Sequence, residues 1–201
     1  MKKNFTLLCG MLLGMAVFAQ TTISKDERDL ALSHLKSTRT ALMEAVKGLS
    51  EAQLVHKPSP ETWSVVECVE HLVKSENGIW QQLQGALEDE PNPSGRLEME
   101  VGDQQILSSV PKRDRKVSTI PPLEPTNQTN GAKELLSEFN SARNRHIKFL
   151  KSTNEDLRNR YYQSPYGKAD VYQMLLFLST HTERHINQIN ELKEASGFPE
   201  S

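Results

Sequence analysis

Cysteine is scarce in this sequence, since only two of its 201 residues carry a thiol. Cys9 lies inside an apolar N-terminal run, and Cys68 lies in the body of the chain. If the N-terminal run is removed, the single remaining cysteine cannot form an internal disulfide. The sequence therefore excludes a disulfide framework, and the fold must be stabilised by packing, with or without a bound metal.

Long apolar runs are also missing, except at the N-terminus. There, two lysines precede an apolar stretch, residues 5–18, that ends in small residues at Ala19. This order is typical of a signal peptide, residues 1–19, which we expect to be cleaved near Ala19. The stretch is shorter than the roughly 20 residues that a membrane-spanning helix needs. We therefore predict export to the periplasm or the medium, without stable membrane insertion, of one domain formed by residues 20–201.

An excess of one charge is absent as well. The chain has 24 basic and 26 acidic residues, which gives a formal net charge of −2. Domains that bind nucleic acid usually carry clustered positive charge, so we expect no nucleic acid partner. We also find no phosphate-binding glycine loop and no Ser-His-Asp set, and these absences argue against several common enzyme mechanisms.

Three capping boxes mark the starts of predicted helices. In each box a serine hydroxyl and a Glu or Gln side chain three residues later bind free backbone N–H groups reciprocally. The pairs are Ser24 with Glu27, Ser50 with Gln53, and Ser64 with Glu67. Apolar residues at helical spacing, Gly and Pro stop signals, and a plausible N-cap at Asp170 complete the pattern. Together they predict a short turn after the second box and four long helices, at about 25–48, 65–88, 131–152 and 170–196.

The segment between the second and third long helices, residues 91–130, is rich in Pro, Ser, Asn and charge. A short helix is predicted within it, around 103–110. So long a connection is usually functional or mobile, and in a bundle it allows the two helices that it joins to run in the same direction. Since no convincing strand is visible, we predict an all-α fold: a four-helix bundle with a long crossover connection between helices 2 and 3.

Two histidines lie one turn apart on the fourth predicted helix. At about 100° per residue, His181 and His185 fall inside the apolar stripe of that helix, so both should point into the bundle. Imidazoles at positions i and i+4 can reach a single ion. The pair is equally compatible with two core histidines that are satisfied by hydrogen bonds.

His71, on the second predicted helix, is less informative by itself. It lies about 200° from Val69, the centre of the apolar stripe, and so flanks the buried face. That position is typical of a surface histidine, although it also suits a ligand at a seam between helices. Cys68 and His146 could approach the same site, but a small buried hydrophobe and a satisfied core histidine are the simpler interpretations.

Several blocks of sequence resemble the DinB-like (DinB/YfiT) superfamily, and they occur in the family's order. Residues 63–72 are similar to its W-S-x-x-E-x-x-x-H-L motif, and residues 139–143 to its F-x-x-x-R motif. Residues 181–189 are similar to its H-x-x-x-H-x-x-Q-I motif, and residues 113–121 to its basic connection before a proline-containing stretch. The blocks span nearly all of the predicted domain, so the resemblance concerns the whole bundle.

In that family one histidine of helix 2 and two of helix 4 bind a divalent metal. The resemblance therefore implies that His71, His181 and His185 hold one divalent transition metal ion. Three imidazoles leave coordination positions open for water or substrate, as in catalytic metal sites. Imidazole ligands suit Zn, Ni, Fe and Cu alike, so the donor set does not identify the ion. We expect Zn, Ni, Fe or Mn.

The resemblance implies an activity as well, because the family includes metal-dependent hydrolases and thiol-dependent transferases and isomerases. We expect an exported metal-dependent hydrolase that acts on a small molecule. A thiol-dependent S-transferase and a non-catalytic metal- or ligand-binding bundle are the alternatives. Bundles of this kind often pair through exposed helix faces, so a homodimer is a further expectation that the sequence leaves open.

Overall fold

The computed structural model describes residues 22–114, 116–126, 131–164 and 167–200. The predicted signal peptide, residues 1–19, lies outside the described residues. Within the described part of the chain, no helix is long and apolar enough to cross a membrane.

The described residues form six α-helices and one two-stranded sheet. In chain order, these elements are α1 (Lys25–Val46), α2 (Glu51–Val55), α3 (Val65–Glu88), α4 (Asp103–Ser109), α5 (Ala132–Ser152), β1 (Tyr161–Ser164), β2 (Gly167–Asp170) and α6 (Val171–Glu194). The four long predicted helices are confirmed as α1, α3, α5 and α6, and the short helix near residue 103 is confirmed as α4. Residues 89–131, which join α3 to α5, are called the crossover below.

The predicted capping boxes are all formed. Ser24, Ser50 and Ser64 each accept a hydrogen bond from the backbone N–H three residues later, and the Glu or Gln at that position binds the cap in return. Asp170 caps α6 and forms a fourth box with Gln173. Each cap contributes about 1 kcal/mol, which explains why helix starts are so well defined by local sequence.

The crossover joins two parallel helices, as predicted. Each of α1 and α3 packs against both α5 and α6. Along α3 and α5, Glu76 meets Arg143, and one turn later Trp80 meets Phe149, so the two helices run in the same direction. When two consecutive long helices are parallel, the segment between them must run back along the length of the bundle. The crossover is that segment.

The first and last helices, α1 and α6, are also parallel to each other. The Tyr172 hydroxyl, at the start of α6, donates to the Glu27 carbonyl at the start of α1. At the other end of both helices, Lys193 donates to the Ala45 carbonyl. The bundle therefore consists of two parallel pairs, and this arrangement brings the first half of α3 beside the middle of α6.

The sheet is a difference from the prediction, in which no strand was expected. β1 and β2 pair antiparallel, from Tyr161 opposite Asp170 to Ser164 opposite Gly167. Gly167 has φ +117°, a backbone conformation that residues with a Cβ rarely adopt. Strands of four residues are too short to show an alternating pattern, which explains why the sequence did not reveal them.

Two apolar clusters fill the bundle, and every long helix contributes to both. The first includes Leu35, Leu83, Leu150 and Leu175. The second includes Leu42, Val69, Phe139 and Ile189. The residues that lie between the two clusters along the helices form a buried polar layer, which contains Arg143 and its carboxylate partner.

That partner is Glu76, and both side chains are fully buried. Arg143 extends from α5 and donates to the Glu76 carboxylate on α3, with Nε–Oε1 at 3.1 Å. The same guanidinium also donates to acceptors on the two remaining long helices, which are Leu35 O, Thr38 Oγ1, Leu178 O and Thr182 Oγ1. One side chain thus hydrogen-bonds to α1, α3 and α6 at the same level of the bundle.

Candidate metal centre

The three histidines singled out from the sequence meet in space. His71 extends from α3, and His181 and His185 extend from α6. The Nε2 atom of His181 lies 3.2 Å from Nε2 of His71 and 3.2 Å from Nε2 of His185. Within the described residues, they are the one group of three or more His, Cys, Asp or Glu side chains with geometry that could hold a metal ion, and their candidate ligand atoms all lie within 4.8 Å of one another.

The burial of His71 differs from the surface position that its helix alone suggested. Its exposed fraction is 3%, and that of His185 is 6%, whereas His181 is half-buried. His71 lies between α6, which carries the other two histidines, and the crossover. A 3-10 helix, Pro121–Leu123, lies there, and the Leu123 side chain lies against Gly78.

Hydrogen bonds fix the orientation of two of the rings. His71 Nδ1 donates to the Leu123 carbonyl at 2.8 Å, and His185 Nδ1 donates to Gln188 Oε1 at 3.0 Å. Arg113 donates to the same amide atom of Gln188, which requires that atom to be the oxygen. Because both acceptors lack a proton, the hydrogen of each neutral ring lies on Nδ1, and the lone pair on Nε2 is left for a ligand.

The Nε2 atoms of the three histidines lie close together, and this arrangement favours the binding of a cation between them. His181 Nε2 carries at most one hydrogen, so in the neutral protein it can donate well to only one of its two neighbours. At least one of the 3.2 Å contacts then brings two lone pairs together. Two imidazoles that share a tetrahedral ion at about 2.0–2.1 Å lie roughly 3.3 Å apart, so the observed spacing fits a divalent metal.

The electrostatic surroundings keep these imidazoles neutral. Burial lowers the pKa of His181 well below its ordinary value, and repulsion from His185 and His71 adds to the effect. Burial, and after it the repulsion that a protonated His71 would exert, lowers the pKa of His185 to about 3. Burial also lowers the pKa of His71. Neutral imidazole is the form that coordinates a metal, so the site is ready to bind one at neutral pH.

Aromatic side chains flank the three rings. The Trp63 ring lies 4.9 Å from that of His71 and 6.0 Å from that of His185, nearly parallel to the latter. Phe177 stacks on His181, with ring centroids 5.3 Å apart. These contacts give the centre apolar walls, which strengthen electrostatic interactions inside it.

Glu67 and Glu70, the acidic neighbours of His71, are both buried. Glu67 is 4% exposed, caps α3 and pairs with Lys57 at 3.0 Å. Glu70 is 3% exposed and pairs with Lys74 at 2.8 Å. Both carboxylates are thus held in ion pairs, and neither is part of the histidine group.

Cys68 and His146 lie outside the histidine group. Cys68 is fully buried in the second apolar cluster, where burial raises the pKa of its thiol to about 12. His146 donates from Nδ1 to the Ala142 carbonyl at 2.9 Å and lies beside Glu76, with its ring 5.1 Å from Trp80. The interpretation of Cys68 as a buried hydrophobe is confirmed. His146 is a core residue too, but its Nε2 has no hydrogen-bond partner among the described residues, so it is not the fully satisfied histidine that was expected.

Sequence reasoning missed several contributors. The Leu123 carbonyl is a backbone atom 52 residues from His71, so no side-chain pattern could reveal it. In the sequence, Arg113 belongs only to the basic connection, and Trp63 and Gln188 only to the motifs at residues 63–72 and 181–189. The structure adds that Gln188 orients the His185 ring.

A comparison with protein families identifies the chain. The family model described as the DinB superfamily matches residues 34–189, well over half of the sequence. The chain belongs to the DinB superfamily. The matched residues of this DinB superfamily protein include all four long helices of the bundle for most or all of their length, and all three histidines.

Two proteins of Bacillus subtilis are similar to this chain. The uncharacterised protein YuaE of strain 168 is 26% identical over 164 residues, which cover 81% of this DinB superfamily chain and 97% of YuaE. The structure of YfiT, described as a probable metal-dependent hydrolase with an unusual four-helix bundle topology, aligns with a TM-score of 0.61 at 19% identity. That alignment covers 89% of this chain and 92% of YfiT, and it confirms the bundle fold.

Proposed function

We propose that this protein is a metal-dependent hydrolase that binds one divalent transition metal ion, Zn, Ni, Fe or Mn, and acts on a small molecule. His71, His181 and His185 are the proposed ligands. The observation that carries the proposal is the convergence of three neutral imidazoles, two of them fixed by their Nδ1 hydrogen bonds so that Nε2 faces the group. The description of YfiT as a probable metal-dependent hydrolase supports the same activity class.

When bound, a divalent ion would supply Lewis-acid chemistry that makes water a nucleophile near neutral pH. The residues of the chain orient and shield the reacting groups. The Leu123 carbonyl and the Gln188 amide hold the rings of His71 and His185 in place. Trp63 and Phe177 provide apolar surface beside the imidazoles, where bulk water is displaced and an apolar part of a substrate can pack.

The proposal is tested by elemental analysis of protein purified without chelator or affinity metal. We expect about one equivalent of a transition metal, because three imidazoles and open positions suit a single ion. The triple variant His71→Ala, His181→Ala, His185→Ala should contain none. His34→Ala is the matched control, since His34 is on α1 and outside the group, and it should retain the metal. Metal-free wild-type protein that takes up no Zn, Ni, Mn or Fe would refute the proposal.

The reaction class is tested on the metal-loaded protein with ester, amide and lactone substrates. Hydrolysis that needs water alone supports the hydrolase. A product that forms only after a low-molecular-weight thiol is added would favour the S-transferase instead. Tight metal binding without turnover of either kind would favour the non-catalytic alternative.

Export is also part of the proposal, and it rests on the sequence of residues 1–19. Low-molecular-weight thiols are mainly cytoplasmic, so export favours hydrolysis over thiol transfer. Cell fractionation followed by N-terminal sequencing tests the assignment. We expect exported protein that begins at Gln20, whereas intact protein confined to the cytoplasm would contradict it.

A further inference from the structure

The crossover is attached beside the metal centre at two places. The first attachment is on α6, just beyond His185. Asn187 donates to the Pro111 carbonyl at 3.2 Å, and Arg113 binds Glu191 at 2.7 Å and Gln188 at 3.3 Å. These side chains are exposed or half-buried, so the attachment is peripheral.

The second attachment is on α3 and is more buried. One carboxylate oxygen of Glu70 accepts hydrogen bonds from both the backbone N–H and the hydroxyl of Thr126, each at 2.9 Å. Lys74 bridges the two segments, because its ammonium group lies 2.8 Å from Glu70 and donates to the Glu124 carbonyl at 2.6 Å. Both attachments contain an ion pair, but the Glu70 carboxylate is 3% exposed and that of Glu191 is exposed, so water screens the second attachment less and it should be the stronger one.

The second attachment lies next to the hydrogen bond that orients His71. Leu123, whose carbonyl accepts from His71 Nδ1, immediately precedes Glu124 in the chain. The Leu123 carbonyl belongs to the backbone and has no rotamers of its own. Its position therefore depends on where the surrounding part of the crossover is held. Glu70, one residue before His71 on α3, holds this part of the crossover together with Lys74.

We propose that Glu70 is a positioning residue of the metal centre, which acts through the crossover and not on the metal. By holding Thr126, Glu70 keeps the Leu123 carbonyl against His71 Nδ1, and this bond selects the tautomer whose Nε2 is free to coordinate. The inference rests on the proposed metal site. Since coupling between two sites is reciprocal, metal binding must in turn stabilise the attached crossover.

Metal affinity tests the proposal directly, by competition between the full-length protein and a chromophoric chelator for Zn. We expect Glu70→Ala to weaken Zn binding by about tenfold or more, the usual effect of losing a partner that orients a metal ligand. Glu70→Gln keeps a carbonyl that can accept from Thr126, so it should stay within about threefold of wild type. The control is Glu98→Ala, which removes a lysine–carboxylate pair between the crossover and β2, away from His71.

Thr126→Val provides a second variant at an exposed position, which preserves the fold if Glu70→Ala does not. It removes the hydroxyl bond and retains the backbone N–H bond, so we expect about a two- to fivefold loss of Zn affinity. Unchanged affinity in both variants would overturn the inference and leave the metal site intact. Equal losses in Glu98→Ala would also overturn it. Absence of Zn binding by wild-type protein would refute the proposed function itself.

Limited trypsin digestion tests the reciprocal effect. Lys112 and Lys116 are exposed cleavage sites in the crossover, and mass spectrometry can follow cut formation there. We expect saturating Zn to slow these cuts by about tenfold in wild-type protein, the same coupling factor that affects affinity. His71→Ala and Glu70→Ala should both lose this protection. Equal cleavage of wild-type protein with and without Zn would contradict the coupling.

Discussion

Replacement of Glu76 by alanine would leave the guanidinium of Arg143 in the core without its carboxylate. Arg143 is 0% exposed and Glu76 is 1% exposed, so water cannot replace the lost partner. The remaining acceptors of Arg143 are neutral oxygens on α1 and α6, such as Thr38 Oγ1 and Thr182 Oγ1. They satisfy its N–H groups but do not compensate its charge.

The expected loss of stability is large. Removal of one partner of a buried ion pair costs about 3–5 kcal/mol, because the desolvated charge of the other partner remains. A protein of this size is usually stable by about 5–15 kcal/mol, so the variant should stay folded but lose a substantial fraction of its stability. At roughly 2–4 °C per kcal/mol, Tm should fall by about 6–20 °C.

Urea unfolding followed by tryptophan fluorescence measures this loss. The control is the double variant Glu76→Leu, Arg143→Met, which removes both charges and fills the space with apolar atoms. We expect the double variant to be more stable than Glu76→Ala, because an apolar pair avoids the unpaired charge. A loss below about 1 kcal/mol in Glu76→Ala, or a double variant that is less stable than the single one, would refute the reasoning.

Three further predictions concern the same core and the metal centre. Gln188→Ala should weaken Zn binding about tenfold, because it removes the acceptor for His185 Nδ1. The control Gln84→Ala, at an exposed position, should leave Zn binding unchanged, and equal Kd values for the two variants would contradict the prediction. Cys68 should resist iodoacetamide in the native protein at about pH 8 and react after denaturation, because burial raises the pKa of its thiol to about 12; rapid native labelling would disprove its burial. Burial raises the pKa of Glu76, but Arg143 and His146 lower it by more than burial raises it. The pKa of Glu76 therefore lies below its ordinary value of 4.5. The carboxylate thus stabilises the fold above that pH and loses the effect as pH falls, so unfolding free energy should decline less steeply from about pH 5 to 3 in Glu76→Gln than in wild type.

The long helices could be predicted because their signals are local. Ser24 and Ser64 each form the capping box that the sequence indicates, and the apolar stripes face the two clusters of the core. The β1–β2 hairpin was missed because its strands have only four residues each. The partner of Arg143 was also unpredictable, since Glu76 lies 67 residues away and meets it only after the bundle forms.

The three histidines of the metal centre differ in the same way, because local sequence places two of them and long-range contacts place the third. His181 and His185 could be placed from one helix, because their spacing fixes a common face. The position of His71 on its helix favoured the surface, and the family resemblance was needed to include it. Its burial depends on Leu123 and the crossover, whose path no periodicity encodes. Glu70 is covered by the crossover as well, and this contact too has no counterpart in the local sequence pattern.

In the proposed metal centre, the three imidazoles of His71, His181 and His185 bind one metal ion. X-ray absorption spectroscopy of the Zn-loaded protein, recorded beside the His181→Ala variant, tests it most directly. We expect a first shell of nitrogen and oxygen atoms at about 2.0–2.1 Å, with scattering from about three imidazoles that is reduced or lost in the variant. A sulfur ligand at about 2.3 Å, or an unchanged imidazole signal in His181→Ala, would contradict it.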